Sequence, residues 1–156
     1  MRVLSKIAAG SLFLLLTGSI AVAGGESENQ DKMQEDLDSY KARIVENCGT
    51  TDKLSIKWNG KLGSNPREVQ KGDYSSVGTL CQSALDATSN VCQSNRVVKK
   101  AFGKLTSITC QKGTGPIGYK FKGARLSFTV DTKYDKNNAA GQQSDLEEKL
   151  KVDLDK

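Results

Sequence analysis

The chemistry open to this chain is narrowed first by four residues, Cys48, Cys81, Cys92 and Cys110, and by the absence of histidine. Without an imidazole, neither a histidine-activated nucleophile nor a histidine-ligated metal has anything to build on. The cysteines match neither the C-x-x-C redox pattern nor the paired spacing of a zinc site. An even number in a small chain reads instead, if the chain is exported, as two structural disulfides, which would leave no free thiol for catalysis. These residues call for no cofactor.

The stretch from Cys81 to Cys92, CQSALDATSNVC, has the apolar spacing of one helix. Eleven residues of helix rise about 16 Å, well beyond the roughly 7 Å Cα separation that a disulfide spans. The two cysteines must therefore bond elsewhere. If the strand before this helix runs up, the helix runs down and the strand after it runs up. Cys48 and Cys92 then sit low, and Cys81 and Cys110 sit high. The expected bridges are Cys48–Cys92 and Cys81–Cys110. The alternative, Cys48–Cys81 with Cys92–Cys110, follows if a short helix near 95–102 carries the chain back upward.

A carboxylate-dependent hydrolase would need two acids across a cleft. Asp52, Glu68, Asp73 and Asp86 are the candidates, but each falls where turns, helix caps or wet helix faces commonly place an acid. The run GTGPIG (113–118) is glycine-rich yet lacks the G-K-[ST] ending and the following helix of a phosphate loop. It reads as a turn between strands. Four cations are more informative. Lys57, Lys120, Lys122 and Arg125 alternate with apolar residues in three strand-like runs and so share the outward side of a sheet. Such a patch suits an acidic protein or an anionic polymer. Tyr119 and Phe121 alternate to the other side, which argues against nucleic acid, whose bases stack on aromatic side chains.

The elements that must position these residues follow from periodicity. Met33, Leu37, Tyr40 and Ile44 mark a helix over 32–46, with Gly49 as its stop. Leu54, Ile56 and Trp58 alternate in a strand over 53–59, and residues 60–73 form a long turn-rich loop. The cysteine helix spans 74–92, capped by Asp73 or Ser75, and a short helix, 95–102, follows with Ser94 as cap. Strands are expected at 104–111, 118–122 and 124–132, the last two joined by a hairpin at Gly123. A final helix over 144–154 opens on a Ser144/Glu147 capping box.

At the N-terminus, Arg2 and Lys6 precede an uncharged apolar run, and small residues at Ala21 and Ala23 fit a cleavage site before Gly24. Residues 1–23 are therefore expected to be a cleaved signal peptide, leaving no membrane span in the mature chain. Residues 24–31 read as a disordered lead-in, and 32–156 as a single domain. Its expected class is α+β: two layers, with helices on one face of a mostly antiparallel four-stranded sheet, stapled by disulfides. Residues 47–135 carry 14 bases against 6 acids, so the basic character lies in the sheet region. The expectation for function is an exported, secreted or periplasmic, non-enzymatic binding or inhibitor-like module. The alternative is a carboxylate-dependent hydrolase acting on envelope polymers.

Overall fold

The computed structural model describes residues 24–63, 69, 76–134 and 138–154. The expected signal peptide, Glu68, Asp73 and most of the 60–73 loop lie outside them. Among the described residues, five helices and four strands follow in the order α1 (Gly24–Asp38), α2 (Lys41–Cys48), β1 (Ser55–Trp58), α3 (Val77–Ser94), α4 (Arg96–Phe102), β2 (Ser107–Lys112), β3 (Gly118–Lys122), β4 (Arg125–Val130) and α5 (Asn138–Leu154). The class is α+β, with four strands in one sheet and two disulfides.

The sheet is mixed, not mostly antiparallel. Its order is β1-β2-β4-β3, with β1–β2 and β2–β4 parallel and only β3–β4 antiparallel. The physical reason lies at 113–117. A crossover through α3 and α4 makes β1 and β2 parallel. The chain then steps over a vacant position to lay down β3 at the edge, and the hairpin at Gly123, φ 60°, returns β4 into the gap. The connecting loop wraps the end of β4. Gly113 donates its N–H to Val130 O at 2.8 Å. A Cβ on Gly113 would lie 2.7 Å from Thr129 Cβ, and one on Gly118 would lie 2.7 Å from Thr129 Oγ1. Glycine at both positions lets the loop grip Thr129 from two sides.

The helices depart from expectation mainly at their ends. α1 begins at Gly24, so the stretch read as a disordered lead-in is helical, and the single helix expected over 32–46 is two, broken at Ser39–Tyr40. Glu and Gln are good helix formers, and Asn29 anchors the early turns by donating Nδ2 to Gly63 O at 3.1 Å. Met33, Leu37 and Ile44 remain buried on one stripe across the break. Gly49 ends α2 in the left-handed region, φ 72°, its N–H bonded to Val45 O. The caps of α3 and α4 are each shifted by one residue from their nearest expected position. Ser76 Oγ accepts from Thr79 N, and Asn95 Oδ1 accepts from Val97 N and Val98 N. α5 starts before Ser144, which lies inside the helix and does not cap it. Gln142 fixes that early start: Oε1 accepts from Ile117 N, and Nε2 donates to Tyr134 O.

The core forms between the helices and one side of the sheet. Ile56, Ile108, Cys110, Leu126, Phe128 and Val130 face it and are buried. α3 is buried on most of its circumference and carries small residues there, Gly78, Ser83, Ala84, Ala87 and Ser89, which let neighbouring helices approach closely. Its half-exposed stripe is Gln82, Asp86 and Asn90.

Candidate binding face

The other side of the sheet is polar. The strand registers arrange it in rows: Ser55, Ser107, Arg125 and Lys122; then Lys57, Thr109, Ser127 and Lys120; then Gln111, Thr129 and Gly118. No carboxylate stands on these rows. Lys57, Lys120, Lys122 and Arg125 are all exposed, and none makes an ion pair with a described residue. Strand spacing places Lys57 about 14 Å across the sheet from the β3 lysines. Between them lies a shallow depression of about 550 Å³, floored by Ser107, Thr109, Gln111 and Ser127 and flanked by Asn59 and Arg125. Asn59 Nδ2 donates to Gln111 Oε1 at 3.1 Å, which orders one end of this floor. The arrangement offers hydroxyls and amides framed by cations, a surface suited to oxyanions and carboxylates.

The cations extend around the end of the domain where β1, β2 and β4 begin. The turns that bring the chain into the sheet are stitched together there: Ser55 N bonds Thr106 O, and Thr106 N bonds Ala124 O. Exposed Lys53 and Lys104 stand on these turns beside Lys122 and Arg125. Exposed Lys99 and Lys100 in the last turn of α4 join them; Lys99 lies close to Gly49, at the end of α2. Exposed Glu46, in α2, and Asp52, in the turn before β1, are acids on the elements that lead into this end. Alternation along single strands picks out the sheet-face cations. It misses Lys53, Lys99, Lys100 and Lys104, which meet them only through tertiary structure. The approach of a strand start by each of Lys53, Lys104 and Arg125 was the available signal.

The cysteines are staples. Cys48 bonds Cys92 with Cα atoms 4.9 Å apart, and Cys81 bonds Cys110 at 6.1 Å. All four are buried and none is free. The first bridge ties α2 to α3 and the second ties α3 to β2, the first of the two pairings the sequence allows. Two disulfides are compatible with an extracellular or periplasmic location. Among the described residues no helix is long and apolar enough to cross a membrane.

Of the four candidate carboxylates, Asp52 and Asp86 are among the described residues and stand on separate elements. Asp52 is exposed in the turn before β1. Asp86 is half-buried on α3 and pairs with Arg43 of α2 at 2.8 Å. Burial raises the Asp86 carboxyl above its ordinary value, against the lowering influence of Arg43. The same guanidinium sits 5.6 Å from the centre of the Tyr40 ring. This cluster joins α2 to α3.

The glycine run at 113–118 also has an internal occupant. Asp131 Oδ2 accepts from Gly115 N at 2.9 Å and Oδ1 accepts from Lys133 N at 2.9 Å. The amide that a phosphate would use is already satisfied by a carboxylate. The bond from Lys133 N, followed by that from Gly115 N, holds Asp131 below the ordinary carboxylate value of 3.8. A carboxyl group lowered on folding stabilises the native state above its unfolded value, and that contribution is lost as pH falls through the folded value. Asp131→Asn is therefore expected to flatten the acid-side decline in stability, seen as a smaller shift of the urea midpoint between about pH 5 and about pH 3. Equal shifts in both proteins would show that the loop is held by other contacts.

Comparison with known protein families, with curated proteins and with solved structures finds no match to this chain.

Proposed function

We propose that this protein is an exported, non-enzymatic binding or inhibitor-like module whose open sheet face takes an anionic partner, either an acidic protein or an anionic polymer. One observation carries the reading. Four exposed cations, Lys57, Lys120, Lys122 and Arg125, border a hydroxyl- and amide-lined face that bears no carboxylate on its rows. Cations without an ion-pair partner among the described residues raise the local concentration of anions and speed their encounter. The two disulfides accord with export, as does the signal-like sequence of residues 1–23. The hydrolase alternative has less support among the described residues: Asp86 is paired with Arg43 and Asp52 lies in the turn before β1, while Glu68 and Asp73 lie outside them.

The test is triple charge reversal, Lys120→Glu with Lys122→Glu and Arg125→Glu, measured against immobilised heparin and poly-glutamate. All three side chains are exposed, so the fold should survive, and circular dichroism melting checks that it does. Binding of at least one probe is expected to weaken about 100-fold or more, with the remaining affinity less sensitive to salt. Unchanged binding of both probes would remove this face from the protein's function.

A further inference from the structure

The two edges of the sheet are treated differently. Among the described residues, one side chain closes the outer edge of β1. Gln34 of α1 donates Nε2 to Ile56 O at 2.7 Å and accepts Trp58 N at 3.3 Å, standing where the peptide group of a neighbouring strand would stand. No described residue does this for β3.

The groups of β3 that β4 does not use can be assigned from its hairpin. Lys122 and Arg125 flank the two-residue turn Gly123–Ala124, which makes them a hydrogen-bonded pair. Alternation makes Lys120–Ser127 and Gly118–Thr129 bonded pairs as well. The N–H and C=O groups of Tyr119 and Phe121 therefore point away from β4. Tyr119 and Phe121 also make contacts on the helix side. Tyr119 OH donates to Asp153 Oδ2 at 3.0 Å, and the Phe121 ring meets Phe102 edge-on at 5.2 Å. Burial, and then the bond to Asp153, push the Tyr119 hydroxyl up to about 12, so it remains a neutral donor.

We propose that the outer edge of β3 is a strand-addition site for an extended acidic segment of a partner protein. The inference rests on the basic face being the recognition surface. The segment's backbone pairs with Tyr119 and Phe121, and its alternate side chains, being carboxylates, lie beside Lys120 and Lys122 on the open face. The intervening side chains are apolar and continue the row of Tyr119 and Phe121. A second copy of this chain fits less well, since antiparallel pairing of β3 with itself would set lysines beside lysines. A polyanion without a peptide backbone would leave the edge groups of Tyr119 and Phe121 unpaired.

The experiment adds three probes to the purified protein: a capped peptide of alternating Glu and Val, the same peptide N-methylated on its pairing edge, and polyphosphate. Amide hydrogen exchange is followed by NMR. The first peptide is expected to slow exchange at Tyr119 and Phe121 by about tenfold or more. N-methylation should abolish that protection, and Lys120→Glu with Lys122→Glu should weaken peptide binding about tenfold or more. Absence of peptide binding, equal binding of the N-methylated peptide, or binding without protection of those two amides would overturn the proposal. Protection that appears without peptide and grows with protein concentration would assign the edge to a second copy and overturn it too. Polyphosphate binding that is lost on charge reversal, with no peptide binding, would sink strand addition while leaving the basic face as a polyanion site.

Discussion

Removing either disulfide by paired alanine substitution, Cys48→Ala with Cys92→Ala or Cys81→Ala with Cys110→Ala, is expected to cost about 3–4 kcal/mol. The bridges close sequence separations of 44 and 29 residues. In the chain-entropy description both loops are long enough to restrict the unfolded ensemble strongly, and the longer one only slightly more so. The native side adds to this. All four sulfurs lie in the core, so each pair of alanines also removes buried volume where α3 meets α2 or β2. A domain of this size is stable by about 5–15 kcal/mol, so loss of both bridges consumes much or all of that margin. Urea unfolding of the two paired variants, and of the wild type with and without reductant, checks the claim. Paired variants within about 1 kcal/mol of wild type would mean that packing alone defines the fold.

Phe102→Ala is expected to be the most damaging single truncation, at about 4 kcal/mol. Phe102 is fully buried at the end of α4, and its ring contacts Phe121 of β3 in a T-shaped arrangement. The substitution removes a large apolar side chain, leaves a cavity and breaks an aromatic pair worth about 0.5–1.5 kcal/mol beyond its buried area. A conservative Phe102→Leu should recover more than half of the loss. The effect should reach β3, because Phe121 is held to the core by the lost ring. Faster amide exchange along Gly118–Lys122 in Phe102→Ala, at equal distance from the unfolding midpoint, would show it. A loss below about 1 kcal/mol would indicate that the α4–β3 contact closes around the gap.

Local periodicity was enough to read most elements of this fold. The alternation of Leu126, Phe128 and Val130 located β4, the spacing of Val77, Cys81, Ala84 and Leu85 located α3, and Gly123 located the hairpin. The helix rise between Cys81 and Cys92 was enough to forbid their pairing and direct each to a different partner. Strand order was not legible in the same way. Nothing in the alternation of β2, β3 and β4 says that the third enters between the first two, because that choice depends on the reach of residues 113–117 and on the fit of Thr129 between two glycines. The break at Ser39–Tyr40 was hidden because the apolar stripe continues through it. The sheet-face cations could be read from period-two alternation. Lys99, Lys100 and Lys104 could not, since they belong to a helix and a turn that meet the sheet end only after folding.

The late arrival of β4 has a consequence for the chain during synthesis. A polypeptide made from its N-terminus has both partners of the Cys81–Cys110 bridge before the strand that fills the middle of the sheet exists. The β1–β2 pair is closed on one side by Gln34 and open on the other until residues 125–130 follow. Oxidation can therefore lock α3 onto an incomplete sheet, leaving a slot that β4 then enters. A chain interrupted after β3 would keep its staples and lack its centre, presenting the bare side of β2 to any strand that reached it.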